Sequence, residues 1–78
     1  MGSFRVAILP SAERELRAAP FPFRRELAHA IGRLQREPRP PQAEVIDGDV
    51  YRLDVHGWRV VYEVDAPRAR VTVYRIVR

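Results

Sequence analysis

The residues best suited to binding a charged group lie in the stretch 50–62. It consists of two alternating apolar and polar runs joined at a histidine and a glycine, which is typical of an antiparallel hairpin. Because successive side chains of a strand point to opposite faces, Arg52 and Asp54 share one face, and Arg59 lies on the same side of the return strand. We therefore expect a charged cluster on one face of a sheet and an aromatic and aliphatic row in the core.

The basic residues of this cluster are arginines, the chain has fourteen arginines and no lysine, and the net charge is +4. The guanidinium group stays protonated and presents a planar fork that suits phosphate, so the bias favours a nucleic acid or an acidic peptide as partner. The alternative cause of the arginine bias is genomic composition. The absence of lysine excludes Schiff-base and lysine-dependent proton-transfer chemistry. A plain structural alternative is an ion pair between Arg59 and Asp54 or Glu63 across the hairpin.

A proton acceptor is harder to identify than a phosphate clamp. Four residues are candidates by type, namely Asp54, His56, Tyr62 and Glu63. Imidazole is a common proton acceptor in proteins, but a histidine beside the hairpin glycine is expected to be a turn residue. Alternation puts Tyr62 in the core, and also Trp58, whose ring would otherwise be able to stack on a base.

The remaining sequence predicts the elements that hold the hairpin. A strand is expected over 4–9, and a helix after it with Ser11 as its N-cap. The second helix has an apolar stripe of period 3.6, and the proline-rich segment 37–41 that ends it is expected to be a rigid connector. A last strand over 70–77 completes the chain, and a short strand over 44–46 is an optional addition before the hairpin. The apolar stripe of the second helix consists of Phe23, Leu27, Ala30, Ile31 and Leu34.

This order predicts an α+β domain over residues 1–78, with an antiparallel sheet of about four strands and two N-terminal helices on one face (β-α-α-β-β-β). The other sheet face stays open and carries the arginines. The chain has no cysteine, no clustered metal ligands and no apolar run near the ~20 residues of a membrane span. We therefore expect no metal, no cofactor and no membrane insertion, and the start of the chain has no signal-peptide pattern.

The chain resembles the RelE/ParE toxin superfamily of bacterial type II toxin–antitoxin systems. The resemblance covers nearly the whole chain and is most specific in the hairpin, where the family pattern is roughly Tyr-Arg-Leu-Arg-Val-Gly-x-Tyr-Arg-Val-x-Tyr-x-x-Asp. The matching residues are Pro10-Ser11-Ala12 after the first strand, Leu34 and Glu37-Pro38-Arg39 at the helix end, the run 51–65, and Val71-Thr72-Val73.

The resemblance implies a cytoplasmic toxin that is neutralised by a cognate antitoxin in a higher-order complex. In the RelE-like branch, which is the closer one, it implies a metal-independent endoribonuclease that cleaves ribosome-bound mRNA and so inhibits translation. The alternative is a non-nucleolytic ParE-like toxin that inhibits DNA gyrase, or a catalytically decayed member that binds only its antitoxin.

For the RNA-cleaving branch, the resemblance implies that basic residues on the open sheet face bind the scissile phosphate. Arg52 and Arg59 match those positions and are the predicted catalytic residues, with Arg75 and Arg78 as predicted RNA-binding residues. Asp54 departs from the pattern, because the family position is usually basic. A further family arginine and tyrosine follow the last strand, and Arg78 reaches at most the beginning of that segment.

Overall fold

The computed structural model describes residues 3–78, which form two helices and one five-stranded sheet. The elements in chain order are β1 (Arg5–Ile8), α1 (Pro10–Ala18), α2 (Phe21–Arg33), β2 (Glu44–Asp47), β3 (Val50–Val55), β4 (Trp58–Asp65) and β5 (Arg70–Val77). The strand order across the sheet is β1-β5-β4-β3-β2. All neighbouring strands are antiparallel except β1 and β5, which run parallel.

The predicted α+β class is confirmed, with five strands where about four were expected. The additional strand is β2, which extends the short segment predicted at 44–46 to Asp47 and pairs with β3. β1 forms the opposite edge, parallel to β5, and the two helices that follow β1 carry the chain across the sheet to β2.

One hydrophobic cluster lies between the helices and the sheet. Helix α2 buries the predicted stripe, with Leu27, Ile31 and the following Leu34 in the core. The sheet contributes alternate residues, since one face of each strand meets the helices. These sheet residues are Leu53, Val60, Tyr62, Val64, Val71, Val73 and Ile76. A single domain over 1–78 stays a prediction, and residues 1 and 2 lie outside the described part.

Helix α1 begins two residues earlier than the sequence suggests, so the prediction of Ser11 as its N-cap is wrong. Leu9 occupies the N-cap with extended backbone and makes no side-chain cap, and Pro10 is the first helical residue. Proline is favoured there because its fixed φ suits a helix and its missing N–H would have no helical partner. Pro22 holds an equivalent early position in α2.

The proline-rich connector between α2 and β2 is fastened to the sheet by two tyrosines. The Tyr62 hydroxyl donates a hydrogen bond to the Pro38 carbonyl oxygen at 2.8 Å. The Tyr51 ring stacks on Tyr62 at 5.7 Å between centroids, and the Arg39 Nε donates to the Tyr51 hydroxyl at 2.8 Å. These contacts support the interpretation of the segment as a rigid connector.

We expect Tyr62→Phe to lower the free energy of unfolding by about 1 kcal/mol, because a buried hydrogen bond is lost. Burial, with a smaller effect of Tyr51, raises the pKa of Tyr62 from 10.0 to about 12. As the pH rises, the Tyr62 hydroxyl therefore loses its proton in the unfolded chain before it does so in the folded chain. The contribution of this hydroxyl to the free energy of unfolding is complete below pH 10 and falls between about pH 10 and pH 12. Urea unfolding of both proteins over that range measures the difference, which should shrink as the pH rises. Tyr74→Phe is the control at neutral pH, where an exposed hydroxyl should matter less.

Candidate phosphate-binding face

The β3–β4 hairpin closes through a two-residue turn at His56 and Gly57. Their φ angles are 50° and 85°. Two successive positive φ values are characteristic of the turns whose twist matches that of the flanking strands. The turn sets Asp54 opposite Arg59 and Leu53 opposite Val60. The predicted hairpin is therefore present, with His56 as a turn residue.

The register divides the hairpin into two faces. Leu53, Val60 and Tyr62 are buried under the helices. Arg52, Asp54 and Arg59 alternate with them and lie on the opposite side, here called the open face, which α1 and α2 do not cover. The charged cluster expected from the sequence is therefore formed.

Arg52 is held by carboxylates within this cluster. Its Nη2 contacts Glu44 Oε1 on β2, and its Nε lies 3.9 Å from Asp54 Oδ1. About a third of the side chain is exposed. The sequence alone did not place Glu44 beside Arg52, because that pairing depends on β2 joining the sheet in its observed register. Arg52 is thus partly neutralised and fixed in position.

Arg59 is the available cation of the predicted pair. It is exposed, and no carboxylate of residues 3–78 lies within 4.0 Å of its guanidinium. The ion pair considered between Arg59 and Asp54 or Glu63 is therefore not formed; Asp54 instead lies 3.9 Å from the Nε of Arg52 on its own strand. Asp54 remains directly opposite Arg59 in the register, so a cation and a carboxylate stand side by side on rigid strands.

Arg75 makes an ion pair with Glu15 at the edge of the sheet. β1 pairs with β5 only as far as Val73, which leaves the later edge of β5 without a strand partner. Glu15 on α1 takes that place, since its Oε1 accepts the Ile76 backbone N–H at 2.7 Å and its Oε2 lies 3.0 Å from the Arg75 Nε. The structure thus gives Arg75 a structural contact beside the open face.

Arg78 lies on the helix-covered side, apart from Arg59. Its guanidinium carbon is 5.6 Å from the centroid of Trp58 and 5.9 Å from that of Phe23 on α2. The Trp58 ring packs against the core, as alternation predicted. Arg78 is therefore not brought together with the predicted catalytic pair. Arg75 stands opposite Val61 on the open-face side of the register, two residues along β5 from Val77, the partner of Arg59.

The open face also holds a tyrosine that the sequence analysis did not select. The Tyr74 hydroxyl donates a hydrogen bond to Glu63 Oε1 at 2.7 Å, and this bond raises the pKa of Tyr74. Tyr74 reaches the open face because the β4–β5 register shifts between Val61 and Tyr62. The sequence signal was the three-residue step from Val73 to Ile76, which breaks the alternation of apolar residues.

A groove of about 310 Å³ lies between α2 and β3, on the helix-covered side. Its apolar lining includes Leu34, Leu53 and Val55. At one end, His56 Nε2 lies 3.6 Å from Glu26 Oε1. Within residues 3–78, no group of three or more His, Cys, Asp or Glu side chains could hold a metal ion.

The family model for the ParE toxin of the type II toxin–antitoxin system parDE matches residues 6–78. The chain belongs to the ParE toxin family. The predicted resemblance to the RelE/ParE superfamily is confirmed, and the chain is a toxin of a type II toxin–antitoxin system. No curated protein sequence matches the toxin. No helix in the described part is long and apolar enough to span a membrane.

The fold of the toxin is similar to solved RelE structures at 20–22% sequence identity. The intact E. coli RelBE complex gives a TM-score of 0.85 over 96% of this chain and 95% of that chain at 20% identity. The M. tuberculosis RelBE2 complex gives 0.83 over 97% and 98% at 20% identity. The Pyrococcus horikoshii RelE–RelB complex gives 0.82 over 95% and 92% at 22% identity.

We expect Glu15→Ala to lower the free energy of unfolding of the toxin by about 1–3 kcal/mol, because the Ile76 N–H loses its acceptor at a half-buried edge. Glu13→Ala is the matched control on the same helix. Its exposed i, i+4 pair with Arg17 should contribute only about 0.3–0.5 kcal/mol. Thermal or urea unfolding compares the two variants, and equal losses would contradict the role given to Glu15.

Proposed function

We propose that this toxin is a RelE-like endoribonuclease that cleaves ribosome-bound mRNA and so inhibits translation. The single observation that carries the proposal is the exposed guanidinium of Arg59, free of carboxylate contacts within residues 3–78, on the face of the sheet opposite the helices. Membership of the toxin family and similarity to the RelE fold support it. Such a target implies action in the cytoplasm.

Metal-independent cleavage of RNA uses the 2′-hydroxyl beside the scissile phosphate as the nucleophile. The 2′-oxygen forms a bond to phosphorus, the bond to the 5′-oxygen breaks, and a 2′,3′-cyclic phosphate remains. Negative charge increases on the phosphoryl oxygens in the transition state, and a preformed cation beside them lowers the barrier. In our proposal Arg59 supplies that cation.

Asp54 is the proposed acceptor of the 2′-hydroxyl proton. Its position opposite Arg59 puts a carboxylate next to the phosphate-binding cation. The Arg52 Nε, 3.9 Å from Asp54 Oδ1, would help to orient that carboxylate, and Glu44 would in turn hold Arg52. In this arrangement Arg52 positions the base, and the 5′-oxygen takes its proton from water.

We expect Arg59→Ala to reduce the rate of mRNA cleavage on translating ribosomes by about 10²–10³-fold, the cost typical of removing one donor to a developing oxyanion. Asp54→Asn should also slow cleavage, because an amide cannot accept the proton. Arg25→Ala on α2 removes an exposed arginine on the helix side and should leave the rate unchanged. Primer extension on ribosome-bound mRNA measures all three. Wild-type protein that leaves the mRNA intact would refute the proposal.

Inhibition of DNA gyrase is the second candidate function. Two observations favour it, namely the match to the ParE family model and the neutralisation of Arg52 by Glu44 and Asp54. Loss of gyrase supercoiling in the presence of the pure toxin, together with unchanged translation, would select this alternative. The same induced culture can report both, with protein synthesis and plasmid supercoiling followed side by side.

We also propose that a cognate antitoxin binds the helix-covered side at the groove and the adjoining edge of β2, within a higher-order complex. The structures named above hold RelE toxins together with RelB antitoxins. β2 is a terminal strand, and Val45 and Ile46 on it are 61% and 52% exposed. A free edge with apolar side chains beside an apolar groove suits an extended segment that adds a strand to the sheet.

We expect Ile46→Asp to weaken binding of the cognate antitoxin about tenfold or more, since a charge would enter the proposed interface. Phe21→Asp is the matched control, because Phe21 is exposed to a similar degree but lies at the start of α2, outside the groove lining. Titration calorimetry with the purified antitoxin measures both affinities. Equal weakening by the two substitutions would contradict the proposed surface.

A further inference from the structure

A second pair of arginines lies on the open face, at the far end from the hairpin turn. Arg5 on β1 is directly beside Arg70 on β5 in the parallel register, and both are exposed. Their neighbours Val6 and Val71 pack against the core, so the two arginine side chains alternate to the other face. Two adjacent strands therefore present two guanidinium groups side by side.

No carboxylate in the described chain lies within 4.0 Å of either guanidinium. The adjacent residue in the register is Asp65, which stands opposite Arg70, but its Oδ2 lies 3.1 Å from Arg68 Nη1. Like charges directly opposite each other destabilise a sheet. An anion bound between the two forks would relieve that repulsion, and the planar guanidinium is well suited to phosphate.

The distance between this pair and Arg59 sets the minimum length of an anion that contacts both positions. Asp65, beside Arg70, lies six residues along β4 from Arg59, which corresponds to about 20 Å at the rise of a strand. A single phosphate cannot reach both positions. A polymer of phosphates running along β4 can, and the sheet keeps the two positions at a fixed separation.

The surface between the two ends suits a nucleotide base rather than a phosphate. Glu63 lies there and would repel a phosphate group. The exposed ring of Tyr74, hydrogen-bonded to Glu63, offers a flat aromatic surface on which a base can stack. Tyr74 therefore offers a stacking surface for a base of the strand between the two phosphate positions.

We propose that Arg5 and Arg70 form a second phosphate-binding site for single-stranded RNA, whose scissile phosphate lies at Arg59 and whose bases pass over Tyr74. The inference rests on the proposed function, since it takes the RNA strand from the cleavage site to the opposite end of the same face.

The experiment measures binding of a fluorescent single-stranded RNA to the free toxin by anisotropy over a series of salt concentrations. The logarithm of the binding constant falls with the logarithm of salt by about 0.7 for each phosphate neutralised on a single strand. The double variant Arg5→Gln/Arg70→Gln should therefore reduce the slope by about 0.7–1.4 and weaken binding at low salt. Its unfolding temperature should equal or exceed that of the wild type, because a like-charge contact is removed.

Arg14→Gln/Arg25→Gln is the matched control, since it removes the same charge from exposed positions on α1 and α2. Equal slopes and affinities for the two double variants would overturn the second site. Tighter binding of single-stranded DNA of the same sequence would overturn the assignment to RNA.

Cleavage of ribosome-bound mRNA is measured separately with Arg59→Ala. If that variant cleaves normally while Arg5→Gln/Arg70→Gln loses RNA affinity, the proposed cleavage site fails and the second phosphate site stands.

Discussion

The pairing of β3 with β4 is the constraint on which the rest of the molecule depends. Side chains alternate along a strand, so a shift of one residue would exchange the two faces of the hairpin. The turn at His56 and Gly57 fixes the register by its backbone geometry. The buried row under the helices opposes any slip, because a shifted register would bring charged side chains into the core. The turn and the core therefore specify the same arrangement.

The same constraint distributes the arginines between structural and available positions. On the sheet, Arg52 and Arg75 contact carboxylates that neighbouring elements supply, and these contacts fasten β2 and α1 to the sheet. Arg59, Arg5 and Arg70 have no such contact within residues 3–78. A chain of this size buries a small core, so charged contacts at the sheet edges supplement it. Arg59, Arg5 and Arg70, which lack such contacts within residues 3–78, are available to bind a partner.

The similarity to RelE structures and the match to the ParE family model are compatible, because both describe one scaffold. Fold alone does not select a target. The target must therefore be argued from the side chains of this chain itself. In this toxin the open face carries Arg59 without a carboxylate contact within residues 3–78, Asp54 beside it and the exposed Tyr74, and the proposed RNA cleavage rests on these side chains.

The sequence by itself determined the local features: the hairpin from its alternation, α2 from its apolar stripe, the connector from its prolines, and the family from the hairpin residues. These depend on contacts between residues close in the chain or on periodicity. Tertiary structure decided the rest, including the pairing of Arg5 with Arg70, the contact of Glu15 with β5, the bulge that turns Tyr74 outward and the helix-side position of Arg78. Each joins residues from distant parts of the chain, and sequence spacing alone does not specify which strand edges and helix faces meet.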